Sequence, residues 1–133
     1  MGKYFSLYEL CHSDTAKSKG IDNTPSEEVK KNLEALIENV LDPLREAYGK
    51  PIYINSGYRC SELNKAVGGV DNSFHTKGYA CDIDMGDKED NQPIFDYIKD
   101  NLPFTELGLE GNGRWVHVAY VKGRENEKEI FYA

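Results

Sequence analysis

The stretch from Thr24 to Gly49 constrains the fold more than any other part of the chain. Val29, Leu33, Leu36, Ile37, Val40, Leu41 and Leu44 recur at helical spacing, which gives a charged helix with one apolar stripe. Thr24-Pro25-Ser26-Glu27 reads as a capping box with proline at the first helical position. Pro43 is expected to kink or tighten the last turns, and Gly49, followed by Pro51, to close the element. Such a stripe must be covered, and the segments that follow read largely as strands.

Pro51 to Ser56 alternates and is rich in β-branched and aromatic residues, as a strand requires. Ser61 caps a short helix through about Val67, ended by Gly68-Gly69, and Asp71 to Ser73 is loop. From Tyr79 to Met85 the period is two: Ala80, Asp82 and Asp84 share one face, Cys81, Ile83 and Met85 the other. A charged turn from Asp87 to Asn91 leads to a helix from about Gln92 to Asn101 that buries Ile94, Tyr97 and Ile98 and stops before Pro103. Glu106 to Leu109 and Arg114 to Val121 then read as antiparallel strands joined by Glu110-Gly111-Asn112-Gly113. At the N-terminus, Tyr4 to Leu10 is expected to lie on the domain surface and Ser13 to Asn23 to be loop. The order of elements predicts an α+β domain, with helices packed on a small, mostly antiparallel sheet.

A chain of 133 residues is one domain, 1–133, with a core of useful size. Its longest apolar runs fall far short of the ~20 residues that cross a bilayer, so no membrane insertion is expected. With 23 acidic against 16 basic residues the net charge is −7, and no Lys/Arg patch exists to engage phosphates; nucleic acid is excluded as a partner. Cys11, Cys60 and Cys81 are odd in number and lack Cys-x-x-Cys spacing, which rules out zinc-finger and thioredoxin sites and a full disulfide framework. Free thiols and the absence of a secretory signal predict a chain that is cytoplasmic as synthesised; a monomer is a separate expectation.

Chemistry concentrates around three residues. His75 stands seven positions before Asp82, with Gly78 between them, and His117 lies far downstream in Trp115-Val116-His117-Val118-Ala119. Two imidazoles and a carboxylate can hold zinc with its fourth position open, the arrangement of a hydrolytic rather than a structural site. Gly78 lets a loop residue and a strand residue face one point. Spacing alone does not bring the three together; two histidines and an aspartate in a chain this long need not meet. His12, in the polar opening segment, reads as a solvated side chain.

Ser73-x-His75-x-x-Gly78-x-Ala80-x-Asp82 with a later Trp115-x-His117 resembles the zinc D-alanyl-D-alanine carboxypeptidase family, the family-fifteen metallopeptidases. The likeness extends in order through Phe5-Ser6-Leu7-x-Glu9-Leu10, Ser13-Asp14-Thr15-Ala16, Gly20-Ile21-Asp22-Asn23-Thr24-Pro25, Ser56-Gly57-Tyr58-Arg59 and Asn64-x-Ala66-Val67-Gly68-Gly69. The subgroup it is most similar to includes phage and prophage cell-wall peptidases, and the implied fold also resembles the hedgehog signalling domain. The resemblance implies one Zn²⁺ per chain on His75, Asp82 and His117, and a peptidoglycan stem peptide as substrate, cut by a D,D-carboxypeptidase or endopeptidase in endolysin-like fashion. It implies that Arg59 binds a substrate carboxylate or faces the oxyanion, and that Ser73 lines the substrate site. Read from the residues alone, Arg59 is rather a surface arginine pairing with Glu62, and Ser73 can equally be an ordinary loop serine.

The chain departs from that pattern at two points, one being Phe74, which fills a position where related sequences often show a polar residue. Several relatives carry an acidic residue three positions before the last zinc histidine as general base and acid; here that position is Arg114, which cannot transfer protons at neutral pH. Glu110 is the nearest acidic substitute, with Glu106 and Asp84 weaker candidates. Asp84, two positions past Asp82, can also orient a ligand imidazole or simply terminate the strand. Two competing readings follow: a zinc-bearing binding or structural module of the same fold with impaired catalysis, and a cysteine hydrolase using Cys60 or Cys81.

Overall fold

The computed structural model describes residues 3–133. Six α-helices and five strands follow in the order α1 (Leu7–Cys11), α2 (Asp14–Lys19), α3 (Glu27–Leu36), α4 (Asp42–Tyr48), β1 (Ile54–Ser56), α5 (Ser61–Ala66), β2 (Ala80–Ile83), α6 (Lys88–Asn101), β3 (Glu106–Glu110), β4 (Trp115–Ala119) and β5 (Glu129–Tyr132). A π-helical turn, Ile37–Leu41, joins α3 to α4, and a 3₁₀ turn, Phe74–Lys77, precedes β2. The strands form one sheet in the order β1-β2-β4-β3-β5. All pairs are antiparallel except β3 with β5. This is the expected α+β architecture. No helix among the described residues is long and apolar enough to cross a membrane.

The long helical segment forms as its stripe demands: Leu33, Leu36, Ile37, Val40, Leu41 and Leu44 are all buried. Ser26, rather than Thr24, is the cap; its Oγ accepts from the Val29 N–H at 3.2 Å. Pro43 is absorbed without a break. Its ring would press on the carbonyl four residues back, and the π turn just ahead inserts one residue, so that the Asp42 N–H reaches back to the Ile37 carbonyl. Gly49, at φ 77°, ends the helix through a bond to the Arg45 carbonyl.

The sheet has two unlike faces because side chains alternate along each strand. Cys81, Ile83, Leu107, Val116 and Val118 pack with the helices in the core. The opposite face carries Asp82, His117, Glu106 and Glu110. Register partners line up across all five strands as Ser56, Asp82, His117, Gly108 and Phe131.

Several expectations need correction. Tyr4 to Leu10 lies on the surface only in part: Tyr4 and Tyr8 are exposed, but Phe5 and Leu10 are buried core residues, and Leu7–Cys11 is helical. Ser13 to Asn23 is not all loop, since Ser13 caps α2 and Gly20, at φ 67°, ends it. The charged segment Asp87 to Asn91 is not a turn; Asp87 accepts from the Asp90 N–H and starts α6 there. Phe95, not Tyr97, is the aromatic that α6 buries. The strand β5 and the 3₁₀ turn have no counterpart in the sequence reading.

Asn91 ties three elements together from a fully buried position. Its Oδ1 accepts from the Met85 N–H at 2.7 Å, and its Nδ2 donates to the carbonyls of Gly113 at 3.0 Å and Arg114 at 2.8 Å. It therefore fixes α6 against the end of β2 and the β3–β4 turn. Asn91→Leu strands these groups without partners and should cost about 2–4 kcal/mol of stability. Urea unfolding checks this: a midpoint shift equivalent to less than ~1 kcal/mol would mean that the turn finds other partners.

Candidate metal centre

Two strands and one turn bring His75, Asp82 and His117 together. Asp82 and His117 are direct cross-strand partners on β2 and β4, so their side chains project side by side. His75 arrives from the 3₁₀ turn, which Ser73 caps by accepting the His75 N–H at 3.1 Å. Gly78 ends that turn at φ 79°, where a Cβ would stand 2.8 Å from the Val29 carbonyl oxygen of α3. The turn lies this close to the long helix because residue 78 has no side chain.

All three groups are buried. Asp82 Oδ1 lies 3.4 Å from His75 Nε2 and 3.1 Å from His117 Nδ1. One ligand atom from each residue falls within 4.8 Å of the other two. Roughly 3.3–3.6 Å separates ligand atoms held tetrahedrally at the ~2.0–2.2 Å that zinc requires, so the cluster is of the right size. Each imidazole also has its other nitrogen committed. His75 Nδ1 lies 2.7 Å from the Gly57 carbonyl, which can only accept, so Nδ1 carries the proton and Nε2 presents its lone pair to the cluster. His117 Nε2 lies 2.7 Å from Glu106 Oε1, which leaves Nδ1 for the cluster in the same way. The donor set fits a borderline-soft divalent cation with room for a fourth ligand.

The Gly57 carbonyl is itself held by a close approach. A Cβ on Gly57 would sit 2.1 Å from the Leu10 carbonyl oxygen, and the next residue, Tyr58, donates its N–H to that oxygen at 2.7 Å. Asn23 completes the clamp, donating to the Cys11 and Tyr58 carbonyls and accepting from the Cys60 N–H at 2.8 Å.

Electrostatics point to a cation in the cluster. Burial alone would push the His117 imidazole down, but its bonds to Asp82 and Glu106 outweigh burial and hold it at about 9. Burial likewise opposes ionisation of Asp82, yet the two imidazoles hold its carboxyl well below the usual range. The set of two imidazoles and a carboxylate thus holds a proton tightly in its middle, where a metal ion would compete for the same lone pairs.

A cleft of about 510 Å³ opens over the cluster, lined also by Arg59, Ser73, Glu106, Glu110, Trp115 and Phe131. Arg59 is half-buried with its Nε unpartnered, and burial lowers its guanidinium while the nearby Asp82 and Glu110 charges raise it. Glu110, the last residue of β3, accepts from Trp115 Nε1 at 3.2 Å. Arg114 is exposed and lines a different groove with Asp84 and Lys88. Asp84, just past the end of β2, has its Oδ1 accepting from the Gly86 N–H at 2.9 Å and near Asn91 Nδ2 at 3.4 Å, the strand-ending alternative rather than a partner of either imidazole. His12 is exposed and pairs with Asp14. No cysteine lines the cleft. Cys81 is fully buried on the core face and Cys11 half-buried, and burial pushes both thiols up, Cys11 to about 11. Cys60 caps α5 through its sulfur. These placements remove support from a cysteine hydrolase. The contact between Glu106 and His117, and the arrival of Phe131, were not legible in the sequence.

A family model described as Peptidase M15 matches residues 3–119. Over 88 residues, 63% of this chain, the sequence is 36% identical to the zinc D-Ala-D-Ala carboxypeptidase of Streptomyces albus G and covers 34% of that protein. The chain thus spans about a third of the length of that relative.

The two buried groups give the metal-free protein a defined pH response. His117 is raised above 6.5, so its contribution to stability is complete below about pH 6.5 and is lost as pH climbs through about 9. Asp82 is depressed below 3.8, so its contribution is present above that value and lost as pH falls further. Melting of chelator-treated protein should therefore be highest between about pH 4 and 6.5 and decline toward pH 9.5, while metal affinity rises over that same upper range. A melting temperature that stays level from pH 6 to 9.5 would contradict the protonated pairing of His117 with Asp82.

Proposed function

We propose that this chain, which belongs to the M15 peptidase family, is a zinc peptidase that hydrolyses peptide bonds of peptidoglycan stem peptides. The observation that carries the reading is the convergence of His75, Asp82 and His117 on one point, with both outer ring nitrogens already bonded. The streptomycete relative, by its name a zinc D-Ala-D-Ala carboxypeptidase, supports both the ion and the substrate class. Zinc held by these three residues would supply Lewis acidity and lower the pKa of water toward ~7.

The chain's own residues would do the rest. Glu110 is the acidic side chain we assign to proton transfer, taking a proton from the attacking water and returning it to the leaving amine. It lines the same cleft as the three ligands, whereas Arg114 stands outside it. The Trp115 indole N–H holds one Glu110 oxygen and leaves the other free. Arg59 is the one Arg or Lys lining the cleft among the described residues. Its guanidinium, lining the cleft beside Asp82, would meet a substrate carboxylate or the oxyanion of the tetrahedral intermediate. Ser73 would flank the substrate at the turn that carries His75.

Beyond Arg59 and Trp115 the cleft continues into a second groove of about 900 Å³ that shares Asp82 with the first. Space on both sides of the scissile bond admits either a D,D-carboxypeptidase or an endopeptidase. An endolysin-like, phage-type setting rests on the resemblance of the sequence blocks alone. A zinc-bearing module without turnover is favoured by one observation, the exposed arginine where several relatives have an acid.

Digestion of defined muropeptides tests the reading. Cleavage at a bond flanked by a D-residue should stop with chelator and return with zinc, and the released fragment distinguishes exopeptidase from endopeptidase. Stoichiometric zinc with no cleavage of any wall chemotype would favour the inert module. Glu110→Gln should lower kcat by about 10²–10⁴-fold with zinc content unchanged; a loss of threefold or less would remove Glu110 from proton transfer.

A further inference from the structure

The strand β5 lies beyond residue 119, where the family match ends, yet it delivers a side chain to the metal centre. It pairs with β3 so that Phe131 stands opposite Gly108, and Gly108 stands opposite His117 on the other side. Glu106, Gly108 and Glu110 alternate onto one face of β3, so the glycine leaves a gap between two carboxylates. Phe131 fills that gap. A Cβ on Gly108 would fall 2.2 Å from the Phe131 ring, so the ring sits there only because residue 108 has no side chain. The ring lies 5.7 Å from the His117 imidazole, tilted by 50°.

We propose that Phe131 is a positioning residue for the metal ligand His117, acting by shielding the Glu106–His117 hydrogen bond from water. That bond, 2.7 Å from Nε2 to Oε1, orients the ring so that Nδ1 faces Asp82. Glu106 remains partly open to solvent, with 28% of its side chain accessible. A carboxylate–imidazole bond in contact with water is weak and easily exchanged, whereas an apolar cover lowers the local dielectric and strengthens it. Partners that fix a ligand imidazole in this way are worth 10–100-fold in metal affinity. Glu106 is thereby assigned to holding His117 rather than to proton transfer. The inference rests on His117 being a ligand but not on peptidase activity, and it ties metal retention to a segment outside the family match.

Zinc affinity, measured by chelator competition on the full chain, separates this role from a purely structural one. Phe131→Leu keeps an apolar cover and should bind zinc within threefold of the parent. Phe131→Ser admits water and should bind at least tenfold more weakly, with metal-free melting close to that of Phe131→Leu. Gly108→Ala, which displaces the ring, should reproduce the serine variant's loss. Affinity of Phe131→Ser within threefold of the parent overturns the proposal. Should Phe131→Ser not fold, exchange of the His117 Nε2 proton in the zinc-loaded parent decides. At least hundredfold slower exchange than at exposed His12 supports the shield, and matching rates overturn it. Zinc binding is read without substrate, so failure to cleave any muropeptide sinks the peptidase reading and leaves this result standing.

Discussion

The Asp82 carboxylate, buried between two imidazoles, is the constraint around which the active face is built. A buried carboxylate without partners would cost several kcal/mol, so the chain must deliver two nitrogens to the same oxygen. One comes from the neighbouring strand through register alone, since Asp82 and His117 are opposed residues. The other needs more structure. His75 depends on a turn capped by Ser73, ended by Gly78 against α3, and tethered through Gly57 to the first helix. The N-terminal segment, distant in sequence from all three residues, thereby becomes part of the support of the cluster.

The sheet separates the work of its two faces. Residues facing the helices are apolar and close-packed, while the other face carries Asp82, Glu106, Glu110 and His117 around one cleft, which His75 joins from the 3₁₀ turn. The open face is tolerable because its polar groups satisfy one another: Glu106 with His117, His117 with Asp82, and Glu110 with Trp115. An apolar ring from β5 fills the one place on β3 where a side chain is missing. Local cost and local function coincide here, as expected of a site that breaks ordinary burial rules.

What could be read from the sequence was what repeats locally. The stripe from Val29 to Leu44, the alternation around Asp82 and His117, and the turn at Gly111 to Gly113 all announce their elements through neighbouring residues. The opposition of Asp82 and His117 could not be read, because register between strands far apart in sequence is set by the assembled core. Helix α2 was legible in principle through Ser13 and Gly20, but its six residues carry no stripe. Asn91 hides in a run of charges, and its value depends on three backbone groups that only folding brings near. Phe131 follows a charged segment and looks like tail until β3 offers its glycine.

The parity of the sheet has a consequence for stability. Sliding β4 by one residue against its neighbours would turn His117 toward the helices and place Val116 or Val118 over the cleft. Such a molecule would bury an imidazole in hydrocarbon and possess no site at all. An ion bound at this site would therefore stabilise only chains that have paired their strands correctly.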